Sequence, residues 1–123
     1  LIDLNEAWND ASGGKSELYT GCIVINKEFA DNNKEFVSEF LKQYEESVNW
    51  VLKNPKDASV LVEKHEIMPS AALVEKAIPY CGITFRKAAD EKTGLNDFYK
   101  ILFDSNPASV GGSMPDDEFY FTE

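Results

Sequence analysis

Apolar positions along this chain follow two different periods. Between Asn32 and Leu52 they recur every three or four residues: Phe36, Val37, Phe40, Leu41, Tyr44, Val48, Val51 and Leu52. Glu39, Lys42, Glu46 and Asn49 fall between them, on the opposite side of a helical wheel. That spacing predicts one long amphipathic helix. Asn32 suits its N-cap, with Glu35 three residues on to complete a capping box. Asn54-Pro55 stops this helix and opens another to about Lys64, with Ala58, Leu61 and Val62 inward. Proline fits a first helical position because its missing N–H has no bond to make there. Pro69 opens a third helix over MPSAALVEKAI, which ends before Pro79. A fourth covers about Asp90 to Phe103, with Leu95, Phe98, Tyr99 and Leu102 as its apolar face and Gly94 as a point of interruption. Residues 26–30 read as one short helical turn, and 1–8 as a helical or extended lead-in to the polar loop 10–17.

The second period is that of a strand. Leu18 to Ile25, LYTGCIVI, is β-branched and almost continuously apolar, as a strand buried on both faces is. Cys81 to Phe85 is a second, shorter candidate. Two isolated strands make a poor sheet. Either the chain is a helical domain with a minor strand pair, or polypeptide outside this chain completes the sheet. The tail, NPASVGGSMPDDEFYFTE, is irregular until the cluster Phe119, Tyr120, Phe121, which is expected to dock because exposing it would be costly. The chain shows no internal repeat and no linker, and reads as a single domain over 1–123.

Charge narrows the function. Twenty-two acidic residues against 12 basic ones give a net charge of −10. A surface this negative repels phosphate backbones and anionic membranes, so no nucleic-acid partner is expected. Cys22 and Cys81 sit in apolar contexts, GCIVI and YCGITF, and read as small core residues. A disulfide between them stays open if their segments are neighbours. With one histidine, His65, the usual Cys and His metal spacings are absent, and neither a metal nor a cofactor is expected. His65 lies in EKHEIM with no activated nucleophile nearby, and reads as a surface residue. The carboxylate runs Glu45-Glu46 and Asp116-Asp117-Glu118 are polar on both sides and read as solvated faces, so no catalytic residue is assigned. Gly111-Gly112 lacks the Lys-Ser/Thr of a phosphate loop. Tyr19, Thr20 and Gly21 are the candidate ligand-binding residues. They bring together a hydroxyl, an aromatic face and a glycine amide just before the apolar run.

Four stretches occur in a familiar order: TGCIVINKEFADNN, FVSEFLKQYEESVNWVLKNPKDASVLVEKH, KAIPYCGITF and NPASVGGSMPDDEFYF. Together they resemble the C-terminal part of substrate-binding proteins of ABC importers. The branch is the one that holds nitrate, sulfonate and taurine binders and the thiamine-pyrimidine-precursor family. His65-Glu66 stands where that family usually carries Tyr-Gly. The resemblance implies an α/β fold of the type II periplasmic-binding class, with two lobes closing on a ligand. This chain would be a helix-rich portion of it, with about four helices and two or three strands, and the N-terminal half would lie outside it.

The resemblance further implies a non-enzymatic solute-binding component. It would capture a small polar molecule and deliver it to ABC permease subunits. Its location would be extracytoplasmic, in the periplasm or as a lipoprotein on the outer face of the membrane. Self-association is expected if the strand 18–25 has no partner of its own. Two other classes stay in view. One is an enzyme of the thiamine-pyrimidine type that consumes its own histidine. The other is a free-standing helical protein-interaction module with no transport role.

Overall fold

The computed structural model describes residues 2–122. Within them the regular structure is helical, and no strand is present. The α-helices are α1 (Leu4–Ser12), α2 (Lys27–Asn32), α3 (Lys34–Lys53), α4 (Pro55–Lys64), α5 (Ala71–Ala77) and α6 (Lys92–Ser105). Short 3-10 turns cover Ile78–Tyr80, Pro107–Val110 and Asp117–Phe119. The chain divides into two compact units. One runs from Asn26 to Phe85; the other joins the residues up to Ile25 with those from Arg86 onward.

The α/β class expected from the sequence is therefore corrected to all-helical. Residues 18–25 make no backbone–backbone hydrogen bond among the described residues, and Ile23, Val24 and Ile25 are exposed. Residues 81–85 hold a turn with Gly82 at φ 60° and no ladder. The reason is physical. An apolar β-branched run favours extended backbone, but a strand exists only where a second backbone lies within bonding distance. The cysteines inside these two stretches are exposed free thiols, not the core residues expected.

In the unit from Asn26 to Phe85, α2 packs on α3, α3 on α4, and α4 on α5. The apolar stripe of α3 splits in two. Val37 and Val48 are buried, with Leu41 and Val51 half-buried beside them. Phe36, Phe40 and Tyr44 stay exposed as an aromatic row. In α4, Ala58 turns inward as expected, but Leu61 is exposed and Ser59 is the most deeply buried side chain. The Ser59 hydroxyl satisfies itself by donating to the Lys56 carbonyl at 2.7 Å, so its burial leaves no polar group without a partner.

The caps differ from the expected ones. Asn33, not Asn32, precedes α3, and neither gives a side-chain cap to it. Both amides turn back instead: Asn32 Nδ2 donates to the Glu28 carbonyl and Asn33 Nδ2 to that of Phe29. Asn54 does the same to Trp50, while Pro55 takes the first position of α4 as expected. α5 opens at Ala71 with Ser70 as its cap, two residues after the Pro69 start expected from the sequence.

In the other unit, α1 extends past the expected lead-in. The Asp3 carboxylate accepts from the N–H groups of Asn5 and Glu6, and Gly13 closes the helix at φ 64°. That left-handed cap suits glycine, which has no Cβ to clash. α6 runs through Gly94 without a break. The tail docks through Tyr120, which is buried and donates from its hydroxyl to Asn96 Oδ1 at 2.8 Å; Phe119 remains exposed.

Candidate functional site

Tyr19 sits half-buried in the irregular stretch that follows α1, with Thr20 and Gly21 exposed after it. The structure gives Tyr19 a defined environment and leaves the other two without side-chain partners among the described residues. The Tyr19 ring stands edge-on to Phe98 of α6, with centroids 5.6 Å apart. Phe98 in turn meets Trp8 of α1 at 5.2 Å. These distances lie in the range where aromatic pairs attract beyond simple area burial. The indole Nε1 of Trp8 is buried and has no hydrogen-bond partner among the described residues.

The polar end of Tyr19 is held by charge. Its hydroxyl donates to Glu91 Oε2 at 2.8 Å. The same oxygen accepts from Arg86 Nη1 at 3.1 Å, and that nitrogen also reaches Glu17 Oε2 at 2.7 Å. Arg86 thus bridges two carboxylates that lie far apart in sequence. Gly94, one turn along from Glu91, lies so near the Tyr19 hydroxyl that a Cβ there would overlap it.

These contacts shift three titrations. Burial, then the hydrogen bond to Glu91, pushes the Tyr19 hydroxyl up to about 12. The Tyr19 hydrogen bond, aided by Arg86, holds the Glu91 carboxyl below its usual range against the opposing effect of burial. The hydrogen bonds to Glu91 and Glu17 raise the Arg86 guanidinium. The cluster thus sets a phenol and a guanidinium between two carboxylates.

The Tyr19 shift has a signed consequence. Its folded value lies above the ordinary 10.0, so the folded state holds this proton more tightly. The stabilisation is complete below the unfolded value and is lost as pH rises from there through about 12. Tyr19→Phe is expected to delete the highest-pH tyrosine ionisation of the group Tyr19, Tyr99 and Tyr120. Ultraviolet absorbance titration checks this. An unchanged alkaline limb in the variant would mean that the Glu91 bond does not hold the phenol in solution.

Glu17, Arg86, Glu91, Phe98 and Trp8 escaped the sequence reading as site residues. Glu17 and Arg86 are separated by 69 positions, so no local pattern could join them. Trp8 had a local signal, the Asp3 and Glu6 pair that starts α1. His65 ends α4 as an exposed residue, as read from the sequence. No helix among the described residues is long and apolar enough to cross a membrane.

Comparison with known proteins adds one match. Residues 6–58 match the family model described as NMT1/THI5 like. No curated protein and no solved structure matches the chain. The matched stretch spans most of α1, the Tyr19 segment, α2, α3 and the first turn of α4. Over residues 6–58 the resemblance read from the sequence is borne out: that stretch is similar to the NMT1/THI5-like family, a family of nitrate, sulfonate and thiamine-precursor substrate-binding proteins of ABC importers.

Proposed function

We propose that this chain is the C-terminal portion of an extracytoplasmic solute-binding protein. It would capture a small polar molecule and pass it to ABC permease subunits without covalent chemistry. The observation that carries this reading is the family match over residues 6–58, because it includes the Tyr19 segment. The geometry supports it: a half-exposed phenol stands on an aromatic base, with charged groups fixing its hydroxyl. Such a mix of apolar surface and a few placed polar groups is what small-molecule sites use. Tyr19, Thr20 and Gly21 are the contact residues in this reading. Calorimetry on the full-length protein with candidate solutes tests it, and Tyr19→Ala is expected to weaken binding at least roughly tenfold through the lost stacking and hydrogen bonding. Unchanged affinity would remove Tyr19 from the site. Cell fractionation checks the envelope location.

Self-association belongs to the same reading. Ile23, Val24 and Ile25 are exposed on a non-helical stretch that has no backbone partner among the described residues. Such a stretch favours pairing with another chain. Light scattering on the 123-residue chain is expected to show species larger than a monomer. A monomer at all concentrations would count against it.

One observation favours a second reading, a helical protein-interaction module: the regular structure described is helical throughout. Its surface would be the exposed row Phe36, Phe40 and Tyr44 on α3. Solute binding by the full-length protein separates the two, since the module reading expects none.

A further inference from the structure

We infer that two copies of this chain pair antiparallel through residues 18–25, in the register that sets Cys22 opposite Cys22 of the second copy. The inference rests on the reading that this stretch drives self-association, and it names the pairing which that reading leaves open. Residues 20–25 are exposed, take no regular structure and have no backbone partner among the described residues. The stretch is held at either end: the Tyr19 hydroxyl bonds Glu91, and the Asn26 side chain caps α2. Ile23, Val24 and Ile25 favour extended backbone, and a second backbone is what a ladder requires of them.

Charge makes a second copy the fitting occupant. Leu18 to Asn26 holds no Asp, Glu, Lys, Arg or His, in a chain of net charge −10. Two such chains repel one another as wholes, and along this stretch their backbones can meet without setting like charges face to face.

Symmetry then limits the register. In an antiparallel pair, hydrogen-bonded and non-hydrogen-bonded residue pairs alternate. A two-fold axis has to map that alternation onto itself, so it passes where one residue faces its own copy. Placed at Cys22, the axis sets Val24 against Thr20, Ile23 against Gly21 and Ile25 against Tyr19. The last is a branched–aromatic pair, of the kind that stabilises a sheet. The same register brings Glu17 level with Lys27 of the second copy, once at each end. Glu17 already bonds Arg86 and Lys27 already bonds Asp31, yet their side chains are 64% and 63% exposed and can each meet a further opposite charge. An axis at Gly21 would set Lys27 against Lys15 instead, and one at Ile23 would set Glu17 against Phe29. Opposite charges at both ends therefore select Cys22.

Cys22 also reports the geometry. It is an exposed free thiol, and facing residues of an antiparallel pair have Cα atoms about 4.5–5.5 Å apart, inside the range that a disulfide spans. The test is diamide oxidation of the Cys81→Ser chain at a concentration where light scattering shows the larger species. Diamide takes up the two thiol hydrogens as the S–S bond forms and is itself reduced to the hydrazine. A covalent dimer is expected on a non-reducing gel, reversed by dithiothreitol. Ile23→Cys in a Cys22→Ser, Cys81→Ser background moves the thiol to a position that faces Gly21, so the two thiols sit on a diagonal of about 7–8 Å. It is expected to link at least roughly tenfold more slowly. Linking as fast at position 23 as at Cys22, or associated species that do not link through Cys22, would overturn the register. A chain that stays monomeric by light scattering at all concentrations instead overturns the reading beneath it, that this stretch drives self-association at all.

Discussion

Gly94→Ala is expected to destabilise the protein by about 1–2 kcal/mol, and the same change in a Tyr19→Phe background to stabilise it by about 0.5–1 kcal/mol. The reversal follows from one contact. A Cβ on Gly94 would overlap the Tyr19 hydroxyl, while the ring carbon that bears the hydroxyl would lie 3.5 Å away, in ordinary contact. Tyrosine must therefore swing aside to admit alanine. In doing so it gives up the bond to Glu91 and the edge contact with Phe98. A hydrogen bond to a charged acceptor contributes about 1.5–3 kcal/mol when shielded, and less at a half-exposed residue such as this. Against that loss, alanine within a helix gains up to about 1 kcal/mol over glycine. Phenylalanine has no hydroxyl to displace, so in that background only the helix gain remains. Urea denaturation of the four proteins in the cycle gives the coupling directly. Equal effects of Gly94→Ala in both backgrounds would show that the hydroxyl does not fill this space. The same variant is expected to lower the Tyr19 ionisation toward its ordinary value, because the Glu91 bond goes with it.

Elements written in local sequence were legible; elements that need a distant partner were not. The three- and four-residue spacing of α3 and the Asn-Pro step into α4 depend on neighbours within one or two turns, and both helices form there. The apolar run at 18–25 carries real strand propensity, but propensity cannot supply the second backbone that a ladder needs. Among the described residues these positions take no regular structure and pair with no other backbone. Cys22 follows the same logic: its apolar neighbours suggested burial, and with no layer against them it is exposed. At the site, Tyr19 was legible as an aromatic hydroxyl next to a glycine. Its meaning depends on Glu91 and Arg86, which come from sequence some 70 residues away and carry no motif. The aromatic row of α3 was misread for a subtler reason. A broad apolar stripe does not say which of its edges is covered, and here Val37 and Val48 are buried while Phe36, Phe40 and Tyr44 keep much of their surface exposed.

Ile78→Ala is expected to cost about 2–4 kcal/mol, the largest effect of any single truncation in the unit from Asn26 to Phe85. The buried apolar residues of that unit are Ala30, Val37, Val48, Ala58 and Ile78. Ile78 is the largest of them and only 6% exposed. It begins the 3-10 turn that continues α5, where Pro79 ends the α-helix by removing the next N–H donor. The turn thereby places a branched side chain inside while Tyr80, two residues on, is left 89% exposed. Removing three buried carbons forfeits their transfer free energy and leaves a cavity, and a core built mainly of alanine and valine has no long flexible side chain to refill it. Tyr80→Ala is the matched control and is expected to change stability by no more than about 0.5 kcal/mol, despite deleting far more atoms. Urea denaturation read by far-ultraviolet circular dichroism compares the two. A loss below about 1 kcal/mol for Ile78→Ala, or a Tyr80→Ala loss that matches it, would mean that the burial of Ile78 is not what holds this unit together.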